Sequence, residues 1–439
     1  MADKGMTLAI VLLVAGLIVG GGIGYFAAPT TTTPGTTVTV TTVVKEIPLK
    51  NTVIKLGYIA SSTTGLETGK PYHEQMIVPR LDTYSELLGY GATFQYQIDD
   101  AQGQPNTHLE KVQGFKSAGI TVYEGGGWSS QAQGSLQYTN SNDMLMWSTS
   151  STSPTLAIAD DRLFRMCTND AALAPALANV MWAAGVKTVV IFQRGDSWGD
   201  GIVNLITPIW TAKGGKIGGE KIRYAAEATE FANYLDIANQ QVTAAVATYG
   251  GETQRVGVII LSFDEAPVIA KQASSYPGIY NVHWWGSDGT AKSIRLMTDS
   301  PEEANHIGIY SLLSRETLTP LYSTLESEYS ALTGQQFSTY SAYSYDVGMV
   351  IAASMFQTQS QEAGAIVGLQ IPTCAQFFGA AGWSKLDPTG DRAPPPYDVW
   401  GFYPTADKPS VSKIMAQYDP DFQKTTFDVG ILGFTPIGP

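Results

Sequence analysis

The 439-residue chain has only two cysteines, Cys167 and Cys374, too few for a disulfide scaffold or a cysteine-based zinc site. Its four histidines (His73, His108, His283, His306) are scattered. There is no H-E-x-x-H and no pair at metal-ligand spacing, so no metal is expected. No G-x-S-x-G elbow occurs, and residues 65–70 lack the full phosphate-loop spacing. The adjacent Asp99 and Asp100 would face opposite sides of a strand and could not act together. With no catalytic set assembled, the chain is not expected to be an enzyme or to carry a cofactor. Charge is scarce too: 15% of residues, with a net −13, which argues against a nucleic-acid partner because nothing would neutralise phosphates. No Asn-x-Ser/Thr sequon is present.

What the chain has is hydrophobicity and length. At 44% hydrophobic, 439 residues can fill two cores, since single cores rarely grow past roughly 250–300 residues. Residues 6–28 carry no charge, and about 22 helical residues would span a bilayer core. Such a run is long for a cleaved secretory signal. Lys4-Gly5 before Met6 resembles the class III, pilin-like signal peptides of archaeal surface binding proteins, which implies a cut after Gly5 that leaves the helix in place; an uncleaved anchor and removal near Ala28 are the other readings. Residues 30–43 hold nine threonines with Pro34 and Gly35 and no charge, the composition of an unfolded spacer. Residues 1–28 are thus expected to be an N-terminal anchor and 29–50 a Thr-rich linker.

Beyond residue 50, short β-branched runs alternate with amphipathic stretches, which predicts α/β layering and parallel strands. Strands are expected at 52–59, 92–98, 120–123 and 143–148, with helices at 72–88 and 108–117 between them. A similar series restarts near residue 172. It has strands at 188–193, 216–224, 257–262 and 283–286 and helices at 173–184, 202–213 and 230–248. Two α/β lobes follow. In open parallel sheets ligands bind outside the carboxyl ends of strands. Those ends carry hydroxyls, glycines, aromatics and a few carboxylates, which suit a small polar molecule.

Four motifs in order carry a family resemblance: Ile54-Lys55-Leu56-Gly57-Tyr58 with Thr64-Gly65, Asp196-Ser197-Trp198-Gly199-Asp200-Gly201, Trp285-Gly286-Ser287-Asp288-Gly289, and Asp387-Pro388-Thr389-Gly390-Asp391-Arg392 before 397–400. The chain resembles the type I periplasmic binding proteins of the leucine/isoleucine/valine-binding branch. That resemblance implies two Rossmann-like lobes with parallel sheets, joined by hinge strands around a ligand cleft. The first lobe is expected at 51–172 and 307–390, and the second at 173–306 and 391–439 with a C-terminal tail. The implied function is the extracytoplasmic substrate-binding protein of an ABC importer, held on the outer face of the membrane by the N-terminal helix. Its partners would be the permease subunits and an amino acid, most plainly a branched-chain one. An amide, urea or short peptide is the alternative ligand, and a ligand-sensing ectodomain the alternative role.

The resemblance also suggests roles for residues. Hydroxyls and backbone N–H groups of Ser129, Ser130, Ser151 and Thr152 would hold the ligand carboxylate, using oriented amides in place of a cation. Asp288, followed by Gly289, would accept the α-ammonium. Trp198 and Phe263 would close over the ligand body. One of Tyr340, Tyr343 and Tyr345 would face the cleft, with Tyr343 taken as the contact. Trp128 has no obvious counterpart in the family.

Overall fold

The computed structural model describes residues 47–421 and 423–427. The expected anchor and all but the last residues of the linker lie outside them. Among the described residues no helix is long and apolar enough to cross a membrane.

The first sheet is wholly parallel, in the order β2-β1-β3-β4-β5: β1 Val53–Ala60, β2 Thr93–Asp100, β3 Val122–Glu124, β4 Leu145–Ser148 and β5 Leu163–Arg165. Every residue of β3, β4 and β5 is buried, as a sheet covered on both faces requires. One cover is built from Ile54, Leu56, Phe94 and Trp147 with Tyr322, Phe337, Tyr343 and Ile351. The other is built from Ile59, Phe115, Tyr123 and Met146.

The second sheet is mixed. Its strands are β6 Thr188–Gly195, β7 Lys216–Ile217, β8 Ile222–Ala225, β9 Val256–Leu261, β10 His283–Gly286 and β11 Ile309–Ser314. After the small hairpin of β12 Phe378–Gly379 and β13 Gly382–Trp383 come β14 Tyr397–Tyr403, β15 Val411–Asp419 and β16 Lys424–Phe427. The order is β16-β15-β14-β11-β10-β9-β6-β7, with β8 also on β6. β6 to β11 pair in parallel, and β14 to β16 continue antiparallel from β11. The central β9, Val-Gly-Val-Ile-Ile-Leu, is buried throughout.

Three expectations shift. The strand expected over 216–224 is two short pieces, because the chain leaves β6 around Gly218 and Gly219. The helix expected over 72–88 starts at Thr63, passes through a π turn at His73–Ile77 and resumes over Val78–Leu87. The wider turn sits next to Pro79, which has no N–H to give. The third shift concerns the crossover expected after residue 306. It follows Ser314, because β11 hydrogen-bonds to β10 and β14 rather than to the first sheet. Arg392 is still part of the first lobe, donating to the Ala381 carbonyl at 2.5 Å.

The lobes are joined by crossings after β5, after β11 and before β14. Two of these are locked together. Arg165 forms a bidentate pair with Asp391, at 2.5 Å for each bond, and both side chains are buried. Their backbones are also bridged, with Arg165 N donating to Gly390 O at 2.8 Å and Arg392 N to Arg165 O at 3.1 Å.

Candidate functional site

The carboxyl ends of β3 and β4 from one lobe meet those of β6, β9 and β10 from the other, and the cleft between them is closed. Ser153 Oγ donates across it to Ser197 O at 3.1 Å. Lys292, just past β10, reaches Phe337 O at 2.9 Å and Glu316 at 2.8 Å. The Tyr340 hydroxyl donates to Asp288 Oδ2 at 2.6 Å.

Asp288 is the centre of this arrangement. Its Oδ1 is enclosed and has no hydrogen-bond partner of good geometry, with the Ser287 hydroxyl and the Gly289 N–H close to the carboxylate. Asp170, in the first turn of the helix Asp170–Ala183, is wholly buried, and neither of its carboxylate oxygens has a partner of good geometry. The Thr152 carbonyl accepts from Asp170 N at 2.7 Å. Burial, and next the charge of Asp288, push the Asp170 carboxyl well above the usual range, while the Thr152 hydroxyl and Arg165 oppose the shift. Burial likewise raises Asp288, against the Tyr340 hydroxyl. Arg165 is already committed to Asp391. Two carboxylates facing one another with unused acceptor oxygens form a site for a cation that can donate hydrogen bonds.

The expected carboxylate-binding hydroxyls behave differently. Ser129 is buried, and its Oγ accepts from Ser153 N at 3.1 Å. Ser151 Oγ donates to Ser148 Oγ at 2.7 Å, and its carbonyl accepts from Arg165 Nη1 at 2.7 Å. Both brace the loops rather than line the cleft. Thr152 retains an unpartnered Oγ1, directed at Asp170 and so toward the acidic end. Ser130 stands half-buried in the first turn of the helix Ser129–Ser141, where the helix dipole favours an anion.

Tyr343 also moves. It lies in the first-lobe core beneath the Arg392 guanidinium, 4.6 Å from its ring centroid. Tyr340 is the tyrosine that reaches Asp288.

The aromatic expectations come together with an addition. Phe263 stacks on Trp198 at 4.2 Å between centroids, and on Trp128 of the other lobe at 4.6 Å. Two glycines permit this. A Cβ on Gly199 would lie 2.2 Å from Arg194 O, so the helix opened by the Asp196 cap can sit tight against β6. A Cβ on Gly289 would lie 2.9 Å from both the Phe263 and Trp198 rings. Glu265, two residues past Phe263, pairs with Arg194 at 2.8 Å.

Cys167, which its neighbour Arg165 could have activated, is buried, and burial pushes its thiol up. Deeper in the first lobe, buried Asp346 accepts from Ala380 N at 2.7 Å and Ala381 N at 2.9 Å. Burial pushes its carboxyl up to about 7. The native state thus binds protons that an unfolded aspartate, with a pKa of about 3.9, has released. The associated stability is fully present below about pH 4 and is lost as pH rises through about 7. The urea midpoint is therefore expected to fall between pH 5 and 8, with Asp170 and Asp288 acting in the same direction. Asp346→Asn is expected to flatten that slope; an unchanged slope would show that other groups cause it.

Asp170 and Trp128 are the residues to which sequence reasoning gives no role, and Tyr340 is one of three candidates among which it favours Tyr343. Asp170 reads as an ordinary first-turn acid after the Asn169 cap, whose Oδ1 accepts from Ala171 N at 2.9 Å. Trp128 carried a usable signal, a large aromatic directly after three glycines at a strand end.

With this geometry in hand, comparisons with known proteins are informative. A curated relative, an uncharacterised protein of Methanocaldococcus jannaschii, is 26% identical over 273 residues, which span 60% of this chain and 64% of the relative. Among solved structures, a leucine-binding protein from Thermotoga maritima matches with a TM-score of 0.69 and 17% identity, over 84% of this chain and 99% of that one. A branched-chain amino acid transporter substrate-binding protein from Streptococcus pneumoniae, in complex with isoleucine, matches at 0.64 and 17%, over 80% and 96%. A solute-binding protein from R. palustris in complex with benzoate matches at 0.63 and 16%, over 83% and 96%. These likenesses establish the fold as that of type I periplasmic binding proteins. The model of the receptor family ligand binding region matches residues 78–405, most of both lobes, and the chain belongs to that family.

Proposed function

We propose that this protein is the substrate-binding component of an ABC importer and captures an amino acid, or a close amine analogue, between its lobes. The observation that carries the proposal is the buried pair Asp288 and Asp170, with three carboxylate oxygens that lack a partner of good geometry beside the closed cleft. A ligand ammonium would bridge the pair and supply the counter-charge that burial denies both groups. Tyr340, already donating to Asp288, would hold that carboxylate in place. At the opposite end, the helix that begins at Ser129 would receive the ligand carboxylate.

Binding free energy would then favour the closed arrangement, the usual logic of hinge closure around a ligand. Delivery to a permease on the outer face of the membrane, through an anchor in residues 1–28, completes the proposal. The leucine-binding neighbour and the isoleucine complex support the ligand class.

A thermal-shift screen tests it. Amino acids are compared with the same molecules lacking the amine. At about 100 times Kd a native-state ligand adds about 2.7 kcal/mol, so the matching amino acids are expected to raise Tm by several degrees. The deaminated acids are expected to raise it little. Equal shifts from both series would overturn the ammonium assignment.

A further inference from the structure

The stack that crosses the cleft bears on which ligand fits. Trp128 follows β3 in the first lobe, and its ring lies nearly parallel to Phe263 of the second lobe, at 17°. Phe263 is in turn 26° from parallel to Trp198. The Arg194 guanidinium sits 5.0 Å from the Trp128 centroid and 5.3 Å from that of Phe263. Arg194 is itself fixed by Asp196 and Glu265, each at 2.8 Å.

The Trp128 backbone is fixed as well. Ser150 Oγ donates to Gly127 O at 2.9 Å, and Gln131 reaches back to Ser61 O at 2.8 Å. A Cβ on Gly103 would come within 3.1 Å of the Trp128 ring, so the indole is backed by the loop after β2. At its far end the stack reaches Gly289, the residue next to Asp288.

An aliphatic ligand side chain would need apolar wall on the Phe263 side of the cleft. In the closed protein the indole of Trp128 already covers that wall. We infer that Trp128 sets the size of the ligand: the cleft takes amino acids or amines whose side chain has at most about two heavy atoms, in the class of glycine, alanine and serine. A leucine-sized side chain could enter only by displacing a ring held on one face by Phe263 and Arg194 and backed by Gly103.

The branched-chain ligand implied by the family resemblance would then be the poorer one. The inference rests on the ammonium reading of Asp288 and Asp170 for the ligand's orientation, while the size limit comes from the stack alone.

The test is calorimetric binding by the full-length protein and by Trp128→Ala and Trp128→Phe, each checked for an intact cooperative unfolding transition. Alanine and leucine form one ligand pair. Propanoate and 4-methylpentanoate form a second pair of the same sizes without the amine. The wild type is expected to bind alanine at least about 10-fold tighter than leucine, the scale on which methylenes are discriminated in a packed pocket. Trp128→Ala is expected to bring leucine up by about 10-fold or more and to change alanine less, with Trp128→Phe between them. If the wild type binds leucine as tightly as alanine, or the ratio is the same in Trp128→Ala, the inference is overturned. If the acids show the size preference and the amino acids bind no better than the acids, the size limit stands and the ammonium reading fails. Absence of binding by all four compounds overturns both.

Discussion

Replacing Arg165 with alanine is expected to destabilise the protein by about 3–5 kcal/mol, the cost of leaving one partner of a buried ion pair uncompensated. Asp391 is 2% exposed and would lose both bonds of a bidentate contact. Only the bond from Asn169, at 3.0 Å, would remain on its carboxylate from this set. The substitution also removes the donor that Ser151 O and Ser153 O share, each at 2.7 Å. Those carbonyls belong to the loop that presents Thr152 to Asp170, so ligand affinity is expected to fall with stability.

The measurement is the urea midpoint and its slope. The double variant Arg165→Met, Asp391→Leu is expected to recover most of the loss, because an apolar pair removes the desolvation cost together with the Coulomb gain. A loss below about 1 kcal/mol in Arg165→Ala, at unchanged slope, would mean that the pair does not hold the crossings together.

For ligand binding the largest effect is expected at Asp288. Asp288→Asn keeps the shape and the contact to the Tyr340 hydroxyl but removes the charge. A buried ammonium that loses its nearer counter-charge should bind less tightly by about 2–4 kcal/mol, roughly 30- to 1000-fold. Stability without ligand should not fall, because the charge removed is one that burial disfavours. Calorimetry on wild type and variant, with the best ligand from the thermal screen, decides the matter. Equal affinities would remove the amino-acid assignment. A large loss of folding stability would identify Asp288 as a turn residue instead.

Much of this was legible in the chain itself, where the determinants are local. The uncharged β-branched run expected as a strand at 257–262 is β9, Val256–Leu261, buried throughout. Asp196 before Ser197-Trp198-Gly199 caps a helix that starts at Ser197, ahead of the 202–213 expected. The glycine-flanked Asp288 at the end of a strand is legible in the same local way, as are Trp198 and Phe263 at theirs. Even the restart of the strand–helix series, and hence two lobes, follows from periodicity and length.

The choice among similar groups was not legible. Tyr340 and Tyr343 are three residues apart in the helix Thr339–Thr358 and so share a side of it. Which of them meets Asp288 depends on where along its axis the helix crosses the cleft. Tyr340 sits in the first turn, beside the second lobe, and Tyr343 sits a turn deeper in the core. Ser129 and Ser151 have the right chemistry for a ligand carboxylate, yet their hydroxyls are taken up by Ser153 and Ser148, a pairing set by how two loops abut.

The sequence by itself determined the layers, the lobes and the acidic strand end, because each depends on residues within a turn or two of one another. Only the tertiary structure decided that Arg165 meets Asp391 across 226 positions, that Asp170 faces Asp288, and that Trp128 lies on Phe263. Those meetings depend on the distances between packed elements, which no local periodicity encodes.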